Sequence, residues 1–221
     1  MTMSEALFAQ AVALTAGLLL LTSILQVWRR SVAASTRLLA LQGVALAGLV
    51  ATLALQQADP ELVLVVAVVL VVKAFVLPQA LTRAIRRTDT GLEDLPGVNP
   101  ISGLLAAAAL TVLAYLVSPA LVALGKGPTA PAVAVGIAMV LIGFWLLVTR
   151  RRAVSQLVAF LVIDNGIATA AFLMAGGVPM VVELGVTLDV ILVVLILLVL
   201  TTRMDITHGR VDLHGLQELH D

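Results

Sequence analysis

Four ionisable residues of this sequence fall inside stretches that otherwise read as membrane: Lys73 in LVVKAFVLP, Asp164 in FLVIDNGIATAAF, and Glu183 and Asp189 in VVELGVTLDVIL. A Lys or Asp at the centre of a membrane helix costs about 2.5–3.5 kcal/mol, so four cost on the order of 10 kcal/mol before any pairing. Groups kept against such a cost face a protein interior or a hydrated cavity, where they pair, stay neutral or carry protons. The chemistry these residue types offer is proton transfer among carboxylates, with an ammonium as partner. The chain has no cysteine, which excludes disulfides, iron–sulfur ligation and a thiolate metal site, so any redox centre must sit on another chain. His208, His214 and His220 are six apart in a polar tail, which is no tight metal-ligand spacing; neither a metal nor a cofactor is expected.

The elements that must position these groups are membrane helices. Of the 221 residues 61% are hydrophobic and 12% charged, the signature of a polytopic all-α membrane protein. Apolar runs separated by polar or Pro/Gly punctuation predict about seven transmembrane helices, near 5–28, 33–56, 60–82, 101–124, 130–149, 153–175 and 178–202. The connections after the first, third, fifth and seventh spans carry Arg29, Arg30 and Arg37, then Arg83, Arg86 and Arg87, then Arg150, Arg151 and Arg152, then Arg203 and Arg210. The opposite connections hold one base, Lys126. The positive-inside rule then places the N-terminus outside and the C-terminus in the cytoplasm, in a cell inner (plasma) membrane. TRRRAVSQ is the whole connection between the fifth and sixth spans, and a merged helix would set three arginines at mid-bilayer, so two helices with a tight basic turn are expected. MTMSEALFAQ has no basic stretch ahead of its apolar run and reads as the start of a retained helix. Residues 1–221 are expected to form a single polytopic membrane domain, with four helices in 1–129, three in 130–203 and a cytoplasmic tail at 204–221. The lipid bilayer is an expected partner and nucleic acid is not.

At ~1.5 Å of rise per residue, Lys73 lies roughly 14 Å from the cytoplasmic end of its span, Asp164 roughly 16 Å and Asp189 roughly 20 Å. Three helices therefore contribute lone charges near one depth, the pattern of a lateral proton relay. Glu183 stands about 9 Å further out and is turned about 120° from Asp189. Asp164 is thus matched with Asp189, while which acid of the last span is functional stays open. A structural salt bridge between Lys73 and Asp164 is the competing reading. Pro78 leaves the carbonyl of Ala74 without its helical donor, which predicts a kinked, wet spot one turn from Lys73. Asn165 and Thr169 share a face and are expected to hydrogen-bond a neighbouring helix.

KAFVLPQAL at 73–81, the acid-Asn-Gly of VIDNGIATAAF, GGVPMVVELGVTLDVILVVLILLVL and the basic, His-containing tail resemble the hydrogenase-4 component E family, membrane subunits of group 4 hydrogenase and formate hydrogenlyase assemblies. The resemblance covers essentially the whole chain. The last three spans also resemble the three-helix K subunit of respiratory complex I and the C subunit of multisubunit cation/proton antiporters. In those subunits two buried carboxylates form part of a proton path, and the resemblance puts Asp164 at the first position and Asp189 at the second. The family usually has Glu in the acid-Asn-Gly motif; Asp164 is one methylene shorter. What the resemblance implies is a subunit without an active site of its own in a complex I-like respiratory assembly. Its partners would be antiporter-like membrane subunits and a peripheral hydrogenase-like arm, and its proton path would use Lys73, Asp164, Glu183 and Asp189. The alternatives are a structural scaffold that anchors the peripheral redox arm and a free-standing ion or solute transporter. Against the transporter, no internal repeat is evident.

Overall fold

The structure is a computed structural model that describes residues 4–29, 31–58, 60–87, 99–123, 129–151 and 153–175. The expected seventh span and the tail, with Glu183 and Asp189, lie outside the described residues. Helices and short turns account for everything described. Helix α1 (Glu5–Trp28) starts at Ser4, whose hydroxyl accepts from the Leu7 amide at 3.4 Å; α2 (Val32–Gln57) starts at Ser31 in the same way. Each serine satisfies one of the amides that a helix start leaves without a partner. Ala58 ends α2 in a left-handed conformation (φ 53°, ψ 34°), and Pro60 opens α3 (Pro60–Val69) two residues later.

The third expected span is continuous but not uniform. After α3 the chain winds as a π-helix over Leu70–Val76 and resumes as α4 (Leu77–Arg87). At the junction the Leu77 amide donates to the carbonyl of Val72, five residues back. Pro78 follows immediately and can give no such bond, so the register change falls where the proline removes a donor. The kink expected at this place takes the form of a widened turn, with Lys73 at its middle.

Helix α5 (Pro100–Val122) runs through Pro119; a 3-10 turn at Ala130–Ala132 leads into α6 (Val133–Thr149), and α7 (Ala153–Ala175) follows. Arg150 is extended (φ −85°, ψ 134°), so the basic turn separates two helices. Five stretches are long and apolar enough to cross a membrane: Glu5–Trp28, Val32–Gln57, Pro60–Arg83, Pro100–Ala120 and Val154–Met174. The expected fifth span is shorter than anticipated, since α6 has 17 residues, about 26 Å of rise against a hydrocarbon core of about 30 Å. The 3-10 turn in front of it adds about 6 Å.

Helix α2 is central. Its Leu46, Leu49, Val50 and Leu53 are buried with Leu19 of α1, Leu62 and Val69 of α3, Met139 of α6 and Phe172 and Leu173 of α7. A second cluster, Leu39, Leu77, Leu81, Val158, Leu161 and Val162, joins α2 and α4 to α7. Gly43, Gly136, Gly143 and Gly166 allow backbones to touch. A Cβ on Gly166 would lie 2.8 Å from the Val140 nitrogen and 2.9 Å from the Gly136 carbonyl oxygen, so α6 and α7 pack main chain to main chain. A Cβ on Gly43 would lie 2.6 Å from the carbonyl carbon of Lys73, so α2 lies directly against the π-helical turn.

Candidate functional site

Asp164 is the middle residue of α7, about 16 Å from either end. Asp164, Asn165 and Gly166 are successive residues at ~100° spacing and so address three directions. Gly166 meets α6. Asp164 and Asn165 both meet Lys73, whose Nζ donates to Asp164 Oδ2 at 2.7 Å and to Asn165 Oδ1 at 2.8 Å. The lysine is fully interior at 2% exposure; the aspartate keeps 15% and lies on the helix stripe that also carries the exposed Gln156, Phe160 and Ile167. The pair is therefore closed on the lysine side and open at the edge of the carboxylate.

Inward from the pair runs a chain of neutral groups. Asn165 Nδ2 donates to Gln42 Oε1 at 2.9 Å, Gln42 Nε2 donates to Ser23 Oγ at 2.7 Å, and Ser23 Oγ donates to the Leu19 carbonyl at 2.9 Å. The ammonium is thus tied through α7 and α2 to the backbone of α1. Asn165, Gln42 and Ser23 are all buried, and in the absence of water each would be costly without these bonds. Thr169 donates to the Asn165 carbonyl of its own helix at 2.7 Å, and its hydroxyl also lies 3.9 Å from Met139 Sδ of α6.

One turn along α1 from Ser23, Gln26 donates to the Ser35 carbonyl at 3.3 Å. Gln26, Ser35, Arg150 and Ser155 line a cavity of about 10 Å³, enough for about one water. The Arg150 guanidinium donates to the carbonyls of Gln26 and Arg29, which have no intrahelical donors at the end of α1. The cation also complements the negative end of that helix dipole.

Of the four ionisable residues singled out in the sequence, the structure brings Lys73 and Asp164 together, while Glu183 and Asp189 lie outside the described residues. The expected approach of Asp189 to Asp164 therefore has no described geometry. Asn165 does bond to a neighbouring helix, and its partner is Gln42. Gln42 and Ser23 were not expected from the sequence, where ionisable groups inside spans and the neutral residues beside Asp164 carried the argument. Their signal was the single polar residue of LLALQGVAL and the Thr-Ser pair of LLLLTSILQ. Among the described residues no cluster of three or more His, Cys, Asp or Glu forms.

Compared with known proteins, the chain is 44% identical over 220 residues to the uncharacterized protein Rv0085 of Mycobacterium tuberculosis, across 99% of this chain and 100% of that one. It is 28% identical over 205 residues to hydrogenase-4 component E of Escherichia coli, across 92% of this chain and 94% of that protein, a distant homology that runs nearly end to end. Hydrogenase-4 component E of Shigella flexneri matches to the same extent. No family model matches the chain, and no solved structure matches it significantly.

Proposed function

The chain belongs to the family of the mycobacterial protein Rv0085, and from that membership and the homology to hydrogenase-4 component E we propose that it is a non-catalytic membrane subunit of a hydrogenase-type, complex I-related assembly. Its task in that assembly is to provide an intramembrane proton station. The observation that carries this reading is the ion pair of Lys73 with Asp164 at the middle of a membrane helix, with the carboxylate at the open edge. A carboxylate there can take up a proton from the side and release it again while the ammonium balances its charge. Glu183 and Asp189 extend the path along the last span, and antiporter-like subunits continue it. Seven spans, an outside N-terminus, an inner-membrane location and a peripheral hydrogenase-like arm belong to the same proposal.

A structural reading has one observation in its favour: among the described residues the ammonium bonds to Asp164 and Asn165, and Asn165 is backed by a hydrogen-bonded chain. Such a pair could serve only to fix helix register. The two readings separate in membranes of the native host. A tag on this chain should co-purify large antiporter-like and hydrogenase-like subunits, and dihydrogen oxidation should drive proton movement across the vesicles. Asp164→Asn should leave assembly and dye-coupled hydrogen oxidation in place and abolish the proton movement. Isolation of the chain without such subunits would overturn the assembly, and unchanged proton movement in Asp164→Asn would leave the structural reading.

A further inference from the structure

The proton station by itself does not require Lys73 to be tied through two amides to the backbone of α1. The donor sense of that chain is set from its far end. The Leu19 carbonyl can only accept, so the Ser23 proton points to it and a lone pair of Ser23 Oγ faces Gln42. Gln42 must then present its NH2 to Ser23 and its oxygen to Asn165. Asn165 in turn presents its NH2 to Gln42 and its oxygen to the ammonium. A flip of the Asn165 amide alone would set two carbonyl oxygens face to face and an NH2 against the ammonium. Each bond polarises the next in the same direction. The neighbouring Gly43 fixes the other half of the lysine, since its missing Cβ lets α2 touch the Lys73 carbonyl.

Amides differ from hydroxyls, carboxyls and water in one respect that matters here. Their nitrogen donates but has no lone pair with which to accept, so a proton passing two successive amides would have to leave a neutral nitrogen twice. We infer that Gln42 is a positioning residue for the Lys73–Asp164 pair, acting through Asn165, and that the two amides close the α1–α2 side of the pair, so that protons arrive and leave at Asp164. The second half rests on the proton-station reading; the positioning half is purely geometric.

The sequence makes the geometric half easy to read, because the full chain has two lysines, Lys73 and Lys126, and two asparagines, Asn99 and Asn165. In the full chain in lipid bilayers, ¹⁵Nζ-labelled lysine gives two signals, assigned by Lys126→Arg, and dipolar coupling to ¹³Cγ-labelled Asn and Asp reports the bonds of Lys73. Gln42→Met keeps the length of the side chain and removes the amide. Gln42→Glu, protonated, keeps an acceptor for Asn165 and a donor for Ser23. The expected result is loss of the Lys73–Asn165 coupling in Gln42→Met, with the Asp164 coupling retained, and both couplings retained in Gln42→Glu. Proton movement by the complex in native membranes should fall roughly tenfold or more in Gln42→Met, the scale on which a misplaced supporting group lowers a rate, and hold in Gln42→Glu. Should Gln42→Met fail to insert, Ser23→Ala, which removes only the far anchor, should weaken the same coupling. A packing role gives the opposite order, with Met tolerated and Glu damaging, and that order or an unchanged Lys73–Asn165 coupling in Gln42→Met would overturn the inference. If Asp164→Asn leaves proton movement unchanged, the proton station and the route through Asp164 fall, and the coupling measurement still decides whether Gln42 positions Lys73.

Discussion

At the residue scale the Lys73–Asp164 pair dominates. Its 2.7 Å contact is interior, and removing one member of a buried pair typically costs about 3–5 kcal/mol because the other charge is left behind. Asp164→Asn keeps a side-chain oxygen at 164 for the ammonium, which also holds Asn165, whereas Lys73→Met removes both bonds and strands the carboxylate. Lys73→Met should therefore lower the assembled fraction sharply on a native gel of detergent-extracted membranes. The double change Lys73→Met with Asp164→Asn should recover much of that loss, since both charges of the pair are then removed together. A double variant as defective as Lys73→Met would mean that the damage lies in packing of the lysine stem and not in charge. Arg150 offers a milder case. Its two bonds to the end of α1 are partly solvent-facing, so Arg150→Gln should cost about 1 kcal/mol, the usual net worth of a hydrogen bond and below that of a buried charged one, and should be read as a small drop in thermal stability.

At the element scale the π-helical turn and the glycine contacts decide where the pair stands. A Cβ on Gly43 would meet three main-chain atoms of Lys73 and Ala74 at 2.6–2.8 Å, and backbone cannot rotate away as a side chain can. Gly43→Ala should destabilise the protein by about 1–3 kcal/mol, the usual cost of overpacking. Gly17→Ala is the control in α1, where the added carbon meets nothing within 4 Å. Removing a helix-interior glycine there should be neutral or stabilising by about 0.5–1 kcal/mol. Thermal unfolding of the two variants in the same detergent measures the difference, and equal melting temperatures would show that α2 does not pack on the π-helical turn.

At the scale of the whole molecule, the orientation assigned from the arginines can be measured directly. Gln57 ends α2 and Arg151 lies in the turn between α6 and α7, both exposed, at ends that the charge pattern assigns to opposite faces. With no native cysteine to remove, a cysteine at Gln57 should react with an impermeant thiol reagent added outside intact cells, and one at Arg151 only after the membrane is opened. The reverse pattern would turn the whole proposal over and place the open edge of Asp164 at the same depth in an inverted subunit.

Composition and punctuation alone determined the all-helical membrane character, because a bilayer requires long apolar runs and expels charge to the connections. The boundaries of α1, α2 and α7 follow within a residue or two, since Ser4, Ser31 and the arginines at 150–152 stop or start helices by local chemistry. The lone charges at Lys73 and Asp164 were legible for the same reason: ionisable groups stand out against lipid. Their common depth came from counting residues. The lateral arrangement did not, because the rotation of one helix against another is set by packing between residues far apart in sequence. Only the tertiary structure brought Gln42, 31 residues before Lys73 and 123 before Asn165, into the same hydrogen-bonded chain. Only it showed that Pro78 and Gly43 together widen and seat the turn that carries the lysine. A neutral amide in an apolar run announces that it needs a partner, but the partner is chosen by the fold.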